Sequence, residues 1–143
     1  IENAEDDAAA GAAGFTAIGG GAHDVVIGIA ASGKTPYTLG AIEAARQSGA
    51  MTIGIANNPD TPLLTEANHS ILLATGGEII AGSTRLTAGT AQKICMNLIS
   101  NMIMIQMGFV ANGMMVAMVP TNEKLRHRRD QIDAALGQQL RID

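Results

Sequence analysis

Cysteine occurs once, at Cys95, so no intramolecular disulfide can staple the chain, and a reducing, cytoplasmic setting is expected. Tryptophan is absent and aromatics make up only 2% of the 143 residues, which leaves aliphatic and methionine side chains to fill the core. Charged residues are scarce at 15% against 47% hydrophobic, a balance that excludes a disordered chain. The longest strongly apolar stretch, around Ile94 to Met107, is broken by Asn97, Ser100, Asn101 and Gln106, too short and too polar for a bilayer. No charged-apolar-small leader opens the sequence, and no membrane partner is expected. The net charge of -4 argues against nucleic acid, because phosphate backbones are gripped through many Lys and Arg contacts. Any bound phosphate must be small and locally cradled.

What is present has the rhythm of an α/β domain. The acidic opening runs into Ala-rich sequence that favours helix until Gly19-Gly20-Gly21, as if the chain begins inside a fold. Asp24 to Ala30 is a continuous apolar run, the pattern of a strand covered on both faces. Thr35 suits an N-cap and Pro36 the first helical position, and the spacing of Leu39, Ile42 and Ala45 carries a helix to Gly49. A strand at Met51 to Ala56, a turn through Asn57-Asn58-Pro59-Asp60 and a strand at His69 to Ala74 follow, implying parallel pairing with right-handed crossovers. Ser83 to Met107 reads as one long helix, apolar on most faces, either central or in an oligomer interface. Gly108 closes it, Met115 to Val119 reads as a short extended connection, and Pro120 opens a helix whose Lys124, Arg126, Arg128 and Arg129 form a solvated face. The expected division is an α/β domain over residues 1–120 and a C-terminal helical extension over 121–143.

Gly28 to Thr35 satisfies the nucleotide-binding pattern G-x-x-x-x-G-K-[ST] literally, after a strand and before a helix. The later strands nevertheless end in Ala56-Asn57-Asn58 and Ala74-Thr75-Gly76, without the acidic residue that would hold magnesium. Gly28 and Ile29 also read as strand interior, which shortens the true turn to Ala31-Ser32-Gly33 ahead of Thr35-Pro36. A short turn of this kind suits one phosphate: Ser32 and Thr35 donate from side chains, Gly33 from its backbone, and Lys34 adds positive charge. The plainer reading is an ordinary capped strand-to-helix turn.

A second hydroxyl cluster, Ser83 and Thr84, stands where the long helix is expected to begin, and both clusters follow parallel strands. One sugar phosphate could touch both at the carboxyl edge of a sheet. Glu78 either holds a sugar hydroxyl or braces a loop; Arg85 and Lys93 are ligand contacts or surface ion pairs. His23, His69 and His127 share no metal-like spacing with one another or with Cys95 and read as structural or surface residues, so no metal is expected.

The run Val26 to Tyr37, followed by Ala44-Ala45-Arg46-Gln47, resembles the signature of N-acetylmuramic acid 6-phosphate etherases. So do Gly82 to Lys93 and Thr121-Asn122-Glu123-Lys124-Leu125, and the resemblance covers nearly the whole chain. It implies a sugar-isomerase-type (SIS) domain, a flavodoxin-like three-layer sandwich around a parallel sheet, in a cytoplasmic homodimer. The implied activity is a carbon-oxygen lyase that cleaves the lactyl ether of a cell-wall amino sugar in peptidoglycan recycling. Family members carry, ahead of the matching stretch, a further strand, a Gly/Ser/Thr turn and a second essential glutamate. The chain therefore corresponds to the C-terminal portion of the SIS domain and is expected to be inactive alone.

The acidic segment Glu2 to Asp7 matches the family's own, which aligns Glu5 with one of two active-site glutamates. From the residues alone, Glu5 reads instead as an acid at a helix N-terminus, favoured by the dipole. The implied substrate contacts are Ser32, Gly33, Lys34, Thr35, Glu78, Ser83 and Thr84, and the implied chemistry needs an acid and a base but no cofactor. A sugar-phosphate isomerase and a non-catalytic sugar-phosphate-sensing SIS domain remain alternatives, and a nucleotide-binding protein is a third.

Overall fold

The computed structural model describes residues 3–137; Glu2 of the acidic opening and residues 138–143 of the C-terminal extension lie outside them. The chain divides into two compact units, one up to Ile94 and one from Cys95. In the first, a 3-10 turn at Ala4–Asp6 leads into α1 (Ala8–Ala17), then β1 (Val25–Ile29), α2 (Pro36–Gln47), β2 (Met51–Ala56), α3 (Pro62–Glu66), β3 (His69–Leu72) and the start of α4 (Thr87–Gln106). The three strands form one sheet in the order β1-β2-β3, both pairs parallel, with Gly28 opposite Gly54 and Ile55 opposite Ile71.

The expected strands are present with small changes at their ends. β3 stops at Leu72 for a local reason: the Leu73 amide still donates to Ala56 O at 2.8 Å, but its carbonyl turns to accept from Thr75 N and the Asn57 side chain. The short helix α3 was not expected, although Thr61-Pro62 repeats the Thr35-Pro36 start of α2. At the other end of the sheet, Asn68 Oδ1 accepts from both the amide and the hydroxyl of the buried Thr52, and Asn68 N donates back to Thr52 Oγ1 at 3.0 Å. This clamp satisfies the polar groups of Thr52 where the β2–β3 ladder has not yet begun.

Helices α2 and α3 pack on the same face of the sheet, as their approach to Gly28 and Gly54 shows. A side chain at Gly28 would meet Ile42 and Leu63, and one at Gly54 would strike the Leu63 carbonyl. Ile42, Ala45 and Leu63 are fully buried there, with Phe15, Ala30 and Ala50 nearly so. Removing a side chain the size of Ile42 or Leu63 from water contributes about 1.5–3 kcal/mol each. The opposite face carries Val25, Ile27, Ile29, Met51, Ile53 and Ile55; Ile55 is buried, but Val25 and Met51 are exposed. The expected covering of both faces is therefore incomplete among the described residues.

The second unit contains the later part of α4, a hairpin of β4 (Val110–Ala111) and β5 (Met114–Met115), and α5 (Glu123–Leu136). The hairpin was not expected; of the extended connection expected at Met115 to Val119, only Met115 belongs to it, and residues 116–119 form no helix or strand. Its turn is Asn112-Gly113, both at positive φ, the geometry that lets two strands reverse in two residues. Asn122 caps α5 by accepting from Leu125 N at 2.9 Å. Lys124, Arg126 and Arg128 are solvated as expected. Arg129 is the exception: it is half-buried, donates to the Met118 carbonyl at 3.0 Å and pairs with Asp133 at 3.3 Å.

Helix α1 lies against α2 at backbone distance. A Cβ at Gly11 would run into the Tyr37 carbonyl, and one at Gly40 into that of Ala8. Alanine favours a helix interior over glycine by about 1 kcal/mol, whereas overpacking against an atom that cannot rotate away costs about 1–3 kcal/mol. Gly40→Ala is therefore expected to lower the free energy of unfolding in urea, while Gly89→Ala in α4, whose nearest neighbour is at 3.4 Å, causes no loss. Equal stabilities for the two variants would show that α1 does not rest on α2 in this way.

Candidate functional site

The turn after β1 is shaped largely by its own hydrogen bonds and those of the next loop. Ala30 N extends the ladder to Ile55 O at 3.1 Å, after which Gly33 N turns back to Ala30 O at 3.0 Å. Gly33 has φ +65 and lies over Thr61, whose Oγ1 a Cβ would strike, so both conformation and space require glycine. Its amide, expected to face a ligand, is engaged by Ala30 O; its part in the turn is conformational. Ser32 Oγ accepts from Lys34 N at 3.2 Å and lies 3.5 Å from Thr35 Oγ1. Thr35 precedes α2 without capping it through its side chain, and the first helical bond is Leu39 N to Thr35 O. Since Pro36 has no N–H, the amides of Tyr37 and Thr38 form the open, positively polarised end of α2, suited to an anion.

The literal nucleotide-binding pattern has a structural explanation. Gly28 is in the middle of β1, paired with Gly54, and its lack of a side chain makes room for Ile42 and Leu63. It takes no part in the turn.

A hollow of about 280 Å³ opens beside the turn, lined by Ser32, Lys34, Thr35 and Pro36 on one side and by Glu5 and Asp6 on the other. A neighbouring hollow of about 300 Å³ adds Ala4, Tyr37 and Thr38 around the same Glu5 and Thr35. Glu5 sits in the 3-10 turn rather than in the cap of α1. That cap is Asp7, whose Oδ1 accepts from Ala10 N at 2.9 Å. The fold thus brings Glu5 from the start of the chain to Ser32, Lys34 and Thr35.

The second cluster is arranged differently. Helix α4 begins at Thr87, not Ser83, and Ser83 and Thr84 lie in the turns before it. Ser83 lines a separate hollow of about 200 Å³ with Glu78, Arg85 and three apolar neighbours. Glu78 braces the helix: Oε2 accepts from Thr87 N at 3.1 Å and Oε1 from Ala88 N at 3.0 Å. Those two bonds, that from Ala88 above all, hold its carboxyl below the ordinary carboxylate value. Thr84 is exposed and its carbonyl accepts from Gly89 N, while Lys93 is exposed on α4. Ser32 and Ser83 therefore face different hollows within this chain.

Residues that the sequence did not single out do much of the positioning. Asn57 and Asn58, at the end of β2, bond to the turn after β1 and to the segment leading into α4. Amides directly after a buried strand at the ligand-binding edge of a parallel sheet were the signal available for them. A further hollow, of about 650 Å³, is at the opposite end of the strands, lined among others by Glu43, Arg46, Met51 and His69. Glu43 there is already engaged by Arg46 and Gln47. His23, His69 and His127 are exposed, and the described residues contain no helix long and apolar enough to cross a membrane.

The SIS domain family model matches residues 21–111. Among curated relatives named N-acetylmuramic acid 6-phosphate etherase, that of Deinococcus radiodurans is 51% identical over 128 residues, covering 90% of this chain and 42% of its own length. The relative from Pasteurella multocida is 47% identical over 132 residues, 92% of this chain and 44% of its own. That from Streptomyces avermitilis is 45% identical over 134 residues, 94% and 43% respectively. The chain thus spans less than half the length of the relatives it matches.

The lowered Glu78 carboxyl makes a pH-dependent contribution to stability. It is complete above the value of the unfolded chain, about 4.5, and disappears as the pH falls through the still lower folded value. Glu78→Gln is expected to melt at a lower temperature than the parent at neutral pH, with the gap closing as acid protonates the parent carboxylate. A gap of constant size down to about pH 2 would show that the charge of Glu78 does not matter to α4.

Proposed function

Because the chain belongs to the SIS domain family, we propose that the protein carrying it cleaves the lactyl ether of N-acetylmuramic acid 6-phosphate, giving N-acetylglucosamine 6-phosphate and D-lactate. The observation that carries this reading is the hollow joining Glu5 to Ser32, Lys34 and Thr35, which sets a carboxylate beside an anion-binding helix start. The names of the relatives support the same substrate. A nucleotide is disfavoured by the position of Gly28 inside β1.

The chemistry follows from the substrate. With the sugar in its open-chain form, the aldehyde at C1 stabilises the charge left when the C2 proton is removed. The C3–O bond then breaks and lactate leaves with the bonding pair. Water adds across the resulting double bond, placing a hydroxyl on C3 and a proton on C2. Glu5 is the candidate acid/base group on this chain. Ser32, Thr35 and the first-turn amides of α2 bind the phosphate, Lys34 neutralises part of its charge, and Gly33 shapes the turn. Phosphate binding remote from C2 and C3 supplies the orientation that the proton transfers need. Ser83 and Thr84 contribute to the sugar-binding surface from the α4 side, with Glu78 holding that segment.

We further propose that the protein acts in the cytoplasm as a homodimer. Helix α4 supports the dimer: Ile94, Leu98, Met102 and Ile105 are each more than half exposed, an apolar surface that water disfavours. Leu98→Glu combined with Met102→Glu should convert a dimer of the full-length protein to monomer in sedimentation. Retention of the dimeric mass would place the interface elsewhere.

The reaction is tested by incubating the full-length protein with N-acetylmuramic acid 6-phosphate and assaying lactate. Glu5→Gln is expected to lower turnover at least about a hundredfold and to change the Kd for N-acetylglucosamine 6-phosphate by less than about tenfold. Turnover equal to that of the parent would remove Glu5 from the chemistry. Ketose formation without lactate would instead indicate an isomerase.

A further inference from the structure

We propose that the adjacent amides Asn57 and Asn58 are positioning residues that set the anion-binding turn after β1 and the start of α4 in fixed relation to each other. The proposal deepens the functional reading above, and its ligand-affinity arm rests on it.

The two side chains diverge from the end of β2. Asn58 Nδ2 donates to the Ala31 carbonyl at 3.0 Å, and Asn57 N donates to the same oxygen at 3.1 Å. Two lone pairs of one carbonyl are thereby used, and that carbonyl is held toward β2. Leu63 N does the same for the Gly33 carbonyl at 3.1 Å. With both carbonyls tied back, the acceptor groups most repulsive to a phosphate are committed to the protein.

Asn57, only 9% exposed, reaches the other way. Its Nδ2 faces two acceptors, Leu73 O at 3.1 Å and Thr75 Oγ1 at 3.2 Å, which fixes the orientation of the amide. Its Oδ1 accordingly accepts from Gln92 Nε2 at 2.8 Å. Gln92 lies one helical turn beyond Ala88, the residue whose amide Glu78 caps, so both attachments fall on neighbouring turns of one α4 face. The dipeptide is a hub: one amide holds the turn bearing Ser32 and Thr35, and the other holds the strand exit that precedes Ser83 and Thr84 and the helix that follows them.

The test uses the full-length protein and three variants: Asn58→Ala at the exposed amide, and Asn57→Ser and Gln92→Met at the α4 contact. Hydrogen–deuterium exchange is read by mass spectrometry without ligand. Asn58→Ala should accelerate exchange in the 31–35 turn, and Asn57→Ser or Gln92→Met in the first turns of α4, each at least about threefold. Unchanged exchange at these segments overturns the proposal whatever the protein does. If Asn57→Ser does not fold, Asn58→Ala and Gln92→Met decide the matter between them.

Affinity for N-acetylglucosamine 6-phosphate and lactate release are then measured on the same samples. Asn58→Ala should raise Kd and KM about fivefold to tenfold while kcat falls by less than about threefold. A purely structural role would lower melting temperature without this split, and that result also overturns the proposal. Faster exchange in the variants of a parent protein that neither binds the sugar phosphate nor releases lactate would refute the functional reading and leave the positioning role standing.

Discussion

The seat of α2 is the constraint on which the candidate site depends. On the sheet side it is set by Gly28, and on the α1 side by Gly11 and Gly40, positions where a methyl group would meet Ile42 or a backbone carbonyl. Because both approaches converge on the same helix, the start of α2 is located relative to β1 and the start of α1 at once. Thr35 and the open amides belong to the first, and Glu5, in the turn just before α1, to the second. The juxtaposition of a carboxylate with the turn after β1 is therefore a consequence of helix packing. No direct bond between them is required.

This geometry explains which features were legible in the sequence. The strands at Val25–Ile29 and Met51–Ala56 and the helix at Pro36–Gln47 were readable, since apolar runs and a Thr-Pro start are local signals. Local signals were also passed over: Thr61-Pro62 opens α3, and Asn112-Gly113 makes a hairpin turn from residues that suit positive φ. The start of α4 was a different matter. Ser83 marked the expected start, but Glu78 supplies acceptors to Thr87 and Ala88 from outside the helix, and a cap brought in by the chain's path leaves no pattern at the helix itself. The Asn57–Gln92 bond is hidden for the same reason, being a contact between residues far apart in sequence.

The site was legible in part. Ser32, Lys34 and Thr35 followed from the turn chemistry, while the placement of Glu5 beside them required the resemblance, because an acid before an Ala-rich helix has an adequate local explanation. The three-dimensional arrangement gives the cap of α1 to Asp7 and leaves Glu5 in the 3-10 turn just before it, beside the hollow. It also separates the two hydroxyl clusters, which line different hollows. Proximity to one edge is a property of topology, whereas convergence on one ligand depends on where each loop leaves its strand.

What joins the two clusters is neutral, and this decides how the assembly responds to its surroundings. Amide side chains do not titrate in the range where proteins fold, so the Asn57 and Asn58 contacts keep their donors and acceptors as acid is added. Glu78 is the one charged brace among them, and protonation replaces an acceptor for two backbone amides with a group that accepts less well. Acid therefore weakens the bonds that Glu78 makes to the first turn of α4. The Asn57–Gln92 bond lies one turn further along and opposes that loosening from the sheet side. A helix start held by one ionic and one neutral brace loses them under different conditions, and the turn after β1 is tied to the neutral one.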